Sequence, residues 1–267
     1  MRISFIGGGV MGEAMIRGIL DRGLAKVSDI AASDISEERR FYLKKKYGVA
    51  TVSDSRSAAD KAEVIVLAVL PVSLSEVMMD LKGFLQPKQL VLSIVARKTL
   101  ASLCHGLDHK AVVRAMPNIS AQIGEGVSVW TAASEVKEGQ KQKARSTLSV
   151  LGKEIFVSDE RYVDMATAVS GSGPAYIFLV IEAFIDAAVH IGLPRELAQE
   201  LVLETISGAT HLAQQSAKHP AELRNLVTTP GGTTAQGLLR LEADGLRGLL
   251  VQAIVTAYEK AKALGGE

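Results

Sequence analysis

Six residues into the chain comes Gly7-Gly8-Gly9-Val10-Met11-Gly12, directly after the short apolar stretch Ile3-Ser4-Phe5-Ile6 and leading into a helical pattern from Met11 to Asp21. Glycines at 7, 9 and 12 satisfy G-x-G-x-x-G in the strand–turn–helix setting that gives the motif its meaning. In that setting Gly7 allows the tight turn, Gly9 lets backbone approach a pyrophosphate, and Gly12 lets helix and strand pack closely. The helix N-terminus then faces the phosphates. A plain glycine turn is the bland alternative. Asp34 ends the next strand-like run, where an acid can accept hydrogen bonds from an adenosine ribose diol and would repel a 2′-phosphate. Arg39 and Arg40 lie one helical turn on and could reach such a phosphate, while Asp34 or Ser36 could equally be a helix cap. NADH and NADPH both stay open.

The first half alternates strand and helix patterns. Ile30-Ala31-Ala32-Ser33 reads as a second strand and Glu37 to Tyr47 as a polar-faced helix. Val64 to Val69 is a continuous apolar run, as expected of a strand buried on both faces. Leu90 to Ile94 and Ala111 to Ala115 repeat that character, and Val127 to Trp130 and Glu154 to Val157 are weaker versions. Strands separated by helices predict a doubly wound, Rossmann-type parallel sheet.

Beyond about residue 160 the pattern becomes helical. Tyr176 to Ile191 is long and apolar, and Gly192 followed by Pro194 reads as a stop and a new start with proline at the first helical position. Helices are predicted over Arg195 to Gln215, Ala221 to Leu226, Thr234 to Glu242 and Leu246 to Leu264. A helix apolar on most sides must bury more than its own small domain can cover, so an all-α dimerisation domain is expected over 159–267, after a dinucleotide-binding domain over 1–158.

Lys and Arg total 30 against 29 Asp and Glu, leaving no cationic excess for a nucleic acid. With 48% hydrophobic and 22% charged residues the chain is expected to fold over most of its length. Trp130 is the sole tryptophan, so the core must be aliphatic. Cys104 is the only cysteine, which excludes an internal disulfide and fits a reducing compartment. Five histidines are scattered; His105 and His109, four apart, are read as surface residues sharing a helix face rather than as metal ligands, and no metal is expected. The opening apolar run is too short for a signal-peptide core, and Met165 to Ile181 carries Ser, Gly and Pro in its first half, making a poor membrane span. The expectation is a cytoplasmic protein with no membrane partner.

Three stretches are more specific: Arg114-Ala115-Met116-Pro117-Asn118, Ser170-Gly171-Ser172-Gly173-Pro174-Ala175-Tyr176, and Thr228-Thr229-Pro230-Gly231-Gly232-Thr233-Thr234. Together with the glycine motif they run nearly the whole chain, which on these residues resembles the pyrroline-5-carboxylate reductases. The resemblance implies a Rossmann domain, a helical domain interleaved with that of a second subunit, homo-oligomers built from dimers, and reduction of 1-pyrroline-5-carboxylate to L-proline by NADPH or NADH, the last step of proline biosynthesis. It implies cofactor contacts from Gly7, Gly8, Gly9, Val10, Met11, Gly12, Asp34, Ser55, Ala68, Val69, Leu70, Pro71 and Ala96. It implies substrate contacts from Glu160, Ser172, Gly173, Gly232, Thr233 and Thr234, with Thr234 as the catalytic hydroxyl.

The residues agree with such chemistry. Reducing a cyclic imine needs no metal, nucleophile or strong acid, only donor and acceptor carbons held in reacting geometry. Two glycines before a helix let backbone N–H groups approach a carboxylate, and the Thr234 hydroxyl could reach a ring nitrogen; an ordinary helix cap is the bland alternative. Some positions depart from the family pattern, which usually has lysine where Leu70 stands, asparagine where Ser55 stands, glycine where Arg97 stands and an acid where Ala217 stands. Two competing functions remain. A β-hydroxyacid dehydrogenase would carry a lysine on the first long helix of its second domain, and Ala175 to His190 has none. A catalytically silent NAD(P)-binding relative with a regulatory role is the other.

Overall fold

A computed structural model describes residues 1–265. Eight strands form one sheet in the order β3-β2-β1-β4-β5-β6-β7-β8, with β1 Ile3–Ile6, β2 Ile30–Ser33, β3 Ala50–Val52, β4 Val64–Leu67, β5 Leu90–Ser93, β6 Val112–Met116, β7 Gly126–Ala132 and β8 Gly152–Phe156. The first six follow the doubly wound order, whose strand sequence reverses between β1 and β4. Helices α1 Val10–Asp21, α2 Glu37–Tyr47, α3 Ser55–Ala59, α4 Leu74–Leu81, α5 Leu100–Leu107 and α6 Glu138–Ser149 connect them. Alternation along β4 shows both faces covered: Val64 and Val66 join the core with α1, while Ile65 and Leu67 join the core with α4 and α5. Trp130, fully buried, donates its indole N–H to Glu154 Oε2 at 2.6 Å and meets Phe156 edge-on.

The sheet corrects the parallel reading in one place. β6 and β7 pair antiparallel, and β7 and β8 then run parallel to each other. The turn Ile119–Ile123 returns the chain without the crossover helix that a parallel neighbour needs. β3 had no legible strand signal, being a short edge strand. His109 is also corrected: α5 ends at Leu107, and His109 lies beyond it, buried, with Nε2 2.8 Å from the Gln89 carbonyl oxygen. His105 is exposed, as expected.

After β8 come α7 Arg161–Ala166, a π turn over Thr167–Gly171, α8 Gly173–His190, α9 Arg195–Gln215, α10 Pro220–Leu226, α11 Thr233–Ala243 and α12 Leu246–Gly265. Pro194 stands at the N-cap of α9 and not at its first helical position, because its ψ of 140° is extended. The chain divides into two compact units, one of residues 1–172 with the chain from Ala257 onward, the other Gly173–Thr256. In the second unit, only Ala198 and Val202 are buried among the described residues. Ile177, Phe178, Leu179, Leu239, Leu249 and Val251 are each at least half exposed. So little burial cannot stabilise a unit of this size by itself. The helical run Arg161–His190 is also long and apolar enough to cross a membrane, by length and composition.

Candidate functional site

β1, β2, β4, β5 and β6 are parallel neighbours, so the loops that follow them share one edge of the sheet. That edge, at the β1/β4 reversal, is where open α/β sheets bind ligands. Gly7 leaves β1 with φ +101°, and a Cβ on it would stand 2.7 Å from the backbone carbonyl of Ala68. Any side chain would therefore force apart the loops after β1 and β4. A Cβ on Gly12 would meet the Gly7 carbonyl oxygen at 2.5 Å. Gly9 behaves differently: its φ is −64° and nothing lies within 4 Å of a Cβ placed there. Gly9 is the N-cap of α1, and no side chain caps that helix. The first amides of α1, with Val10 and Met11 leading, thus open onto free space beside a backbone with no side chain in the way. A dinucleotide pyrophosphate requires those two conditions.

Asp34 anchors this loop. Its Oδ2 accepts the Gly8 N–H at 2.9 Å and its Oδ1 accepts the Ser36 N–H at 2.9 Å. The helix cap left open by the sequence is Ser36, whose Oγ accepts the Arg39 N–H at the start of α2. Arg39 turns inward, donating to the Gly8 carbonyl and pairing with Glu13. Arg40 Nη1 donates to the Asp34 carbonyl at 2.7 Å. Glu13 also accepts from Tyr47 (2.7 Å), Tyr42 (3.0 Å) and Lys46 (3.0 Å). Burial opposes ionisation of Glu13, but hydrogen bonds from Arg39, Tyr47, Lys46 and Tyr42 outweigh it and hold its carboxyl down at about 2. The sequence reading missed this cluster; only the i, i+3 and i+7 spacing of Arg39, Tyr42 and Lys46 hinted that α2 presents one polar stripe.

The other proposed cofactor positions lie in loops after strands. Ala68 and Val69 are half-buried beyond β4, Leu70 is exposed, and Pro71 opens a single 3-10 turn. Ala96 is half-buried beyond β5, and Ser55, buried, begins α3 after β3. Next to Ala96, Arg97 holds φ +73°, a left-handed conformation that favours glycine over a residue with a side chain.

Glu160 is tied within the first unit: its Oε1 accepts the Leu100 N–H and Arg114 Nη1, each at 2.7 Å. Ser172 closes the π turn by donating its N–H to the Thr167 carbonyl at 2.9 Å. In the second unit, Gly173 begins α8, and Gly232, Thr233 and Thr234 begin α11. Gly232 is its N-cap without a side-chain cap, and Thr233 and Thr234 are exposed. A side chain at Gly232 would collide with Thr229 Oγ1. The N–H groups of α11 are thus presented bare, as an anion site requires.

Residues 160–264 match the family model for pyrroline-5-carboxylate reductase dimerisation, and residues 2–97 match the one for coenzyme F420-dependent NADP oxidoreductases. A pyrroline-5-carboxylate reductase of Synechocystis sp. is 38% identical, covering 99% of this chain and 98% of the relative. The chain belongs to the pyrroline-5-carboxylate reductase family. Among solved structures, the Coxiella burnetii pyrroline-5-carboxylate reductase is 37% identical with a TM-score of 0.91, over 98% of each chain. The Plasmodium falciparum pyrroline carboxylate reductase, solved with NADP bound, is 31% identical with a TM-score of 0.91, over 99% of this chain and 98% of that one. Family membership carries an NAD(P)H-dependent oxidoreductase and a homo-oligomer. The α8 helix Gly173–His190 has no lysine.

Proposed function

We propose that this chain reduces 1-pyrroline-5-carboxylate to L-proline, with a hydride from NADPH or NADH. The observation that carries the reading is the bare start of α1 over open Gly9, at the reversal of a doubly wound sheet. Gly7 to Gly12 hold the pyrophosphate, and Asp34 both fixes the loop and borders the adenosine ribose. Ser55, Ala68 to Pro71 and Ala96 line the remaining length of the dinucleotide. When bound, that dinucleotide supplies hydride from C4 of its nicotinamide.

On the substrate side, the N–H groups of Thr233 and Thr234, freed by Gly231 and Gly232, receive the substrate carboxylate. The Thr234 hydroxyl orients the ring nitrogen, which takes a proton from water or from that hydroxyl as hydride reaches the adjacent carbon. Glu160, Ser172 and Gly173 are the other positions that contact substrate in this reading. No residue needs to change covalent state, which suits a site made of hydroxyls and amides.

Residues 159–267 act as the substrate-binding and dimerisation domain and 1–158 as the dinucleotide-binding domain. The exposed apolar surface of α8, α9 and α12 serves a second subunit in the cytoplasm, and not a bilayer or a nucleic acid. The test is oxidation of NADPH and of NADH on addition of pyrroline-5-carboxylate, with light scattering of the same sample. Absence of turnover with either cofactor would reject the activity, and a lone 28.4 kDa species would reject the dimer.

A further inference from the structure

Arg114 is 4% exposed in the middle of β6, between Ser93 of β5 and Thr131 of β7. Its two terminal nitrogens go to different carboxylates: Nη1 to Glu160 Oε1 at 2.7 Å and Nη2 to Asp164 Oδ1 at 2.5 Å. Glu160 and Asp164 are four residues apart, one at the N-cap of α7 and one in its first turn. A planar fork can hold both acids at once, whereas an ammonium is a single point. Glu160 also takes the Leu100 N–H at the start of α5. The cluster therefore pins the first turn of α7 to the middle of the sheet and to the helix that follows β5.

Two residues further along β6, Met116 meets the far end of the same segment. Its Cε would stand 3.0 Å from a Cβ on Gly171. Between these two points the chain leaves α-helical geometry for the π turn Thr167–Gly171. Thr167 Oγ1 donates to the Val163 carbonyl and Ser170 Oγ to the Ala166 carbonyl, each at 2.9 Å. Single π turns inside helices recur at functional sites, where they re-aim a few residues. Here the re-aimed residues are Ser170 to Ser172, beside Met116 at the end of the strand.

Burying a guanidinium is costly, and an apolar side chain in its place is often as stable. What an apolar residue would not do is fix where α7 stands along β6. We infer that Arg114 is a positioning residue for hydride transfer: its fork on Glu160 and Asp164 sets the height of α7 against β6, and so places the π turn and Ser172 at the ligand-binding edge of the sheet. The inference rests on the reading of the chain as a pyrroline-5-carboxylate reductase for its kinetic arm only.

The test uses full-length Arg114→Lys and Asp164→Asn beside the parent. Each keeps a polar group of similar size but surrenders one arm of the fork. Affinity for NADPH, measured by titration, should stay within about twofold, because the glycine loop is untouched. The value of kcat should fall by about tenfold or more, with KM for pyrroline-5-carboxylate changed much less, since misplaced reacting groups cost turnover. Amide hydrogen exchange over residues 167–172 should accelerate by about tenfold, while that of 64–67 in β4 stays as in the parent. Folded variants with the parent's kcat, or with unchanged exchange at 167–172, would overturn the inference. If Arg114→Lys fails to fold, Asp164→Asn decides. If the parent itself does not reduce the imine, the activity reading falls alone and the exchange comparison still decides the positioning role.

Discussion

Replacing Gly9 by alanine and by valine separates folding from cofactor binding more sharply than any other change at the glycine loop. Its φ of −64° and ψ of −168° are open to any residue, and no atom lies within 4 Å of the new Cβ. Loss of glycine at a helix N-cap disfavours alanine by a few tenths of a kcal/mol to about 1 kcal/mol. Removing glycine's freedom from the unfolded chain favours alanine by about 0.4–1 kcal/mol. The two terms offset, so the melting temperature should move by less than about 4 °C, the shift roughly 1 kcal/mol produces in a domain of this size. Binding is another matter. The new methyl occupies the space through which a pyrophosphate reaches the first amides of α1. Each charge-assisted hydrogen bond forfeited is worth about 1.5–3 kcal/mol, or about tenfold to a hundredfold in Kd. Valine should lose at least one such bond toward NADH and NADPH alike, and alanine less. Gly7→Ala is the contrasting control, since its Cβ would stand 2.7 Å from the Ala68 carbonyl at φ +101° and should cost stability as well. Calorimetric titration with both cofactors, alongside thermal melts, reads out the pair. A folded Gly9→Val variant that binds both with parental affinity would falsify the pyrophosphate assignment.

Thr234→Ala should lower kcat/KM for the imine by at least about threefold to tenfold, one neutral hydrogen bond's worth, with cofactor affinity nearly constant; Thr234→Ser should recover much of it, and equal turnover by folded Ala and Val variants would reduce the α11 loop to its backbone amides. Glu13 titrates in the fold at about 2, below its ordinary value near 4.5, so the stability it adds is fully present above about pH 4.5 and is lost as pH falls toward 2. The melting-temperature gap between the parent and Glu13→Gln should accordingly be widest above pH 5 and close on acidification; a gap that does not change with pH would show that the Glu13 cluster contributes nothing through its charge. Arg97→Gly should raise stability by up to about 1 kcal/mol, because left-handed backbone strains a side chain there while glycine carries its own entropic cost. A drop in chemical-denaturation midpoint for that variant would mean that contacts of the arginine outweigh the strain.

Much of the fold was legible because its signals are local. The glycine spacing, the apolar runs of β1, β4, β5 and β6, and the helical periods of α9 and α12 each reside in at most 21 consecutive residues, the range over which pattern and propensity act. The apolar period of Arg195 to Gln215 has the same bounds as α9. A helix after Gly231-Gly232 was likewise legible, but that no side chain caps it is visible only in the structure.

What tertiary structure alone decided are the pairings across long sequence distances. Asp34 reaches Gly8 across 26 residues, and Arg114 reaches Glu160 and Asp164 across 46 and 50. The histidine beyond α5 is buried, and a carbonyl from the loop before β5 faces its ring nitrogen. The antiparallel turn into β7 depends on which neighbour the strand finds at the edge of the sheet. Sequence by itself determined where backbone could bend, extend or coil, since those preferences belong to each residue and its few neighbours. Which charge meets which, and how α7 is held against β6, came only with the packed chain, because an ionic pair has no period and leaves no trace in the order of residues until the elements that carry it are side by side.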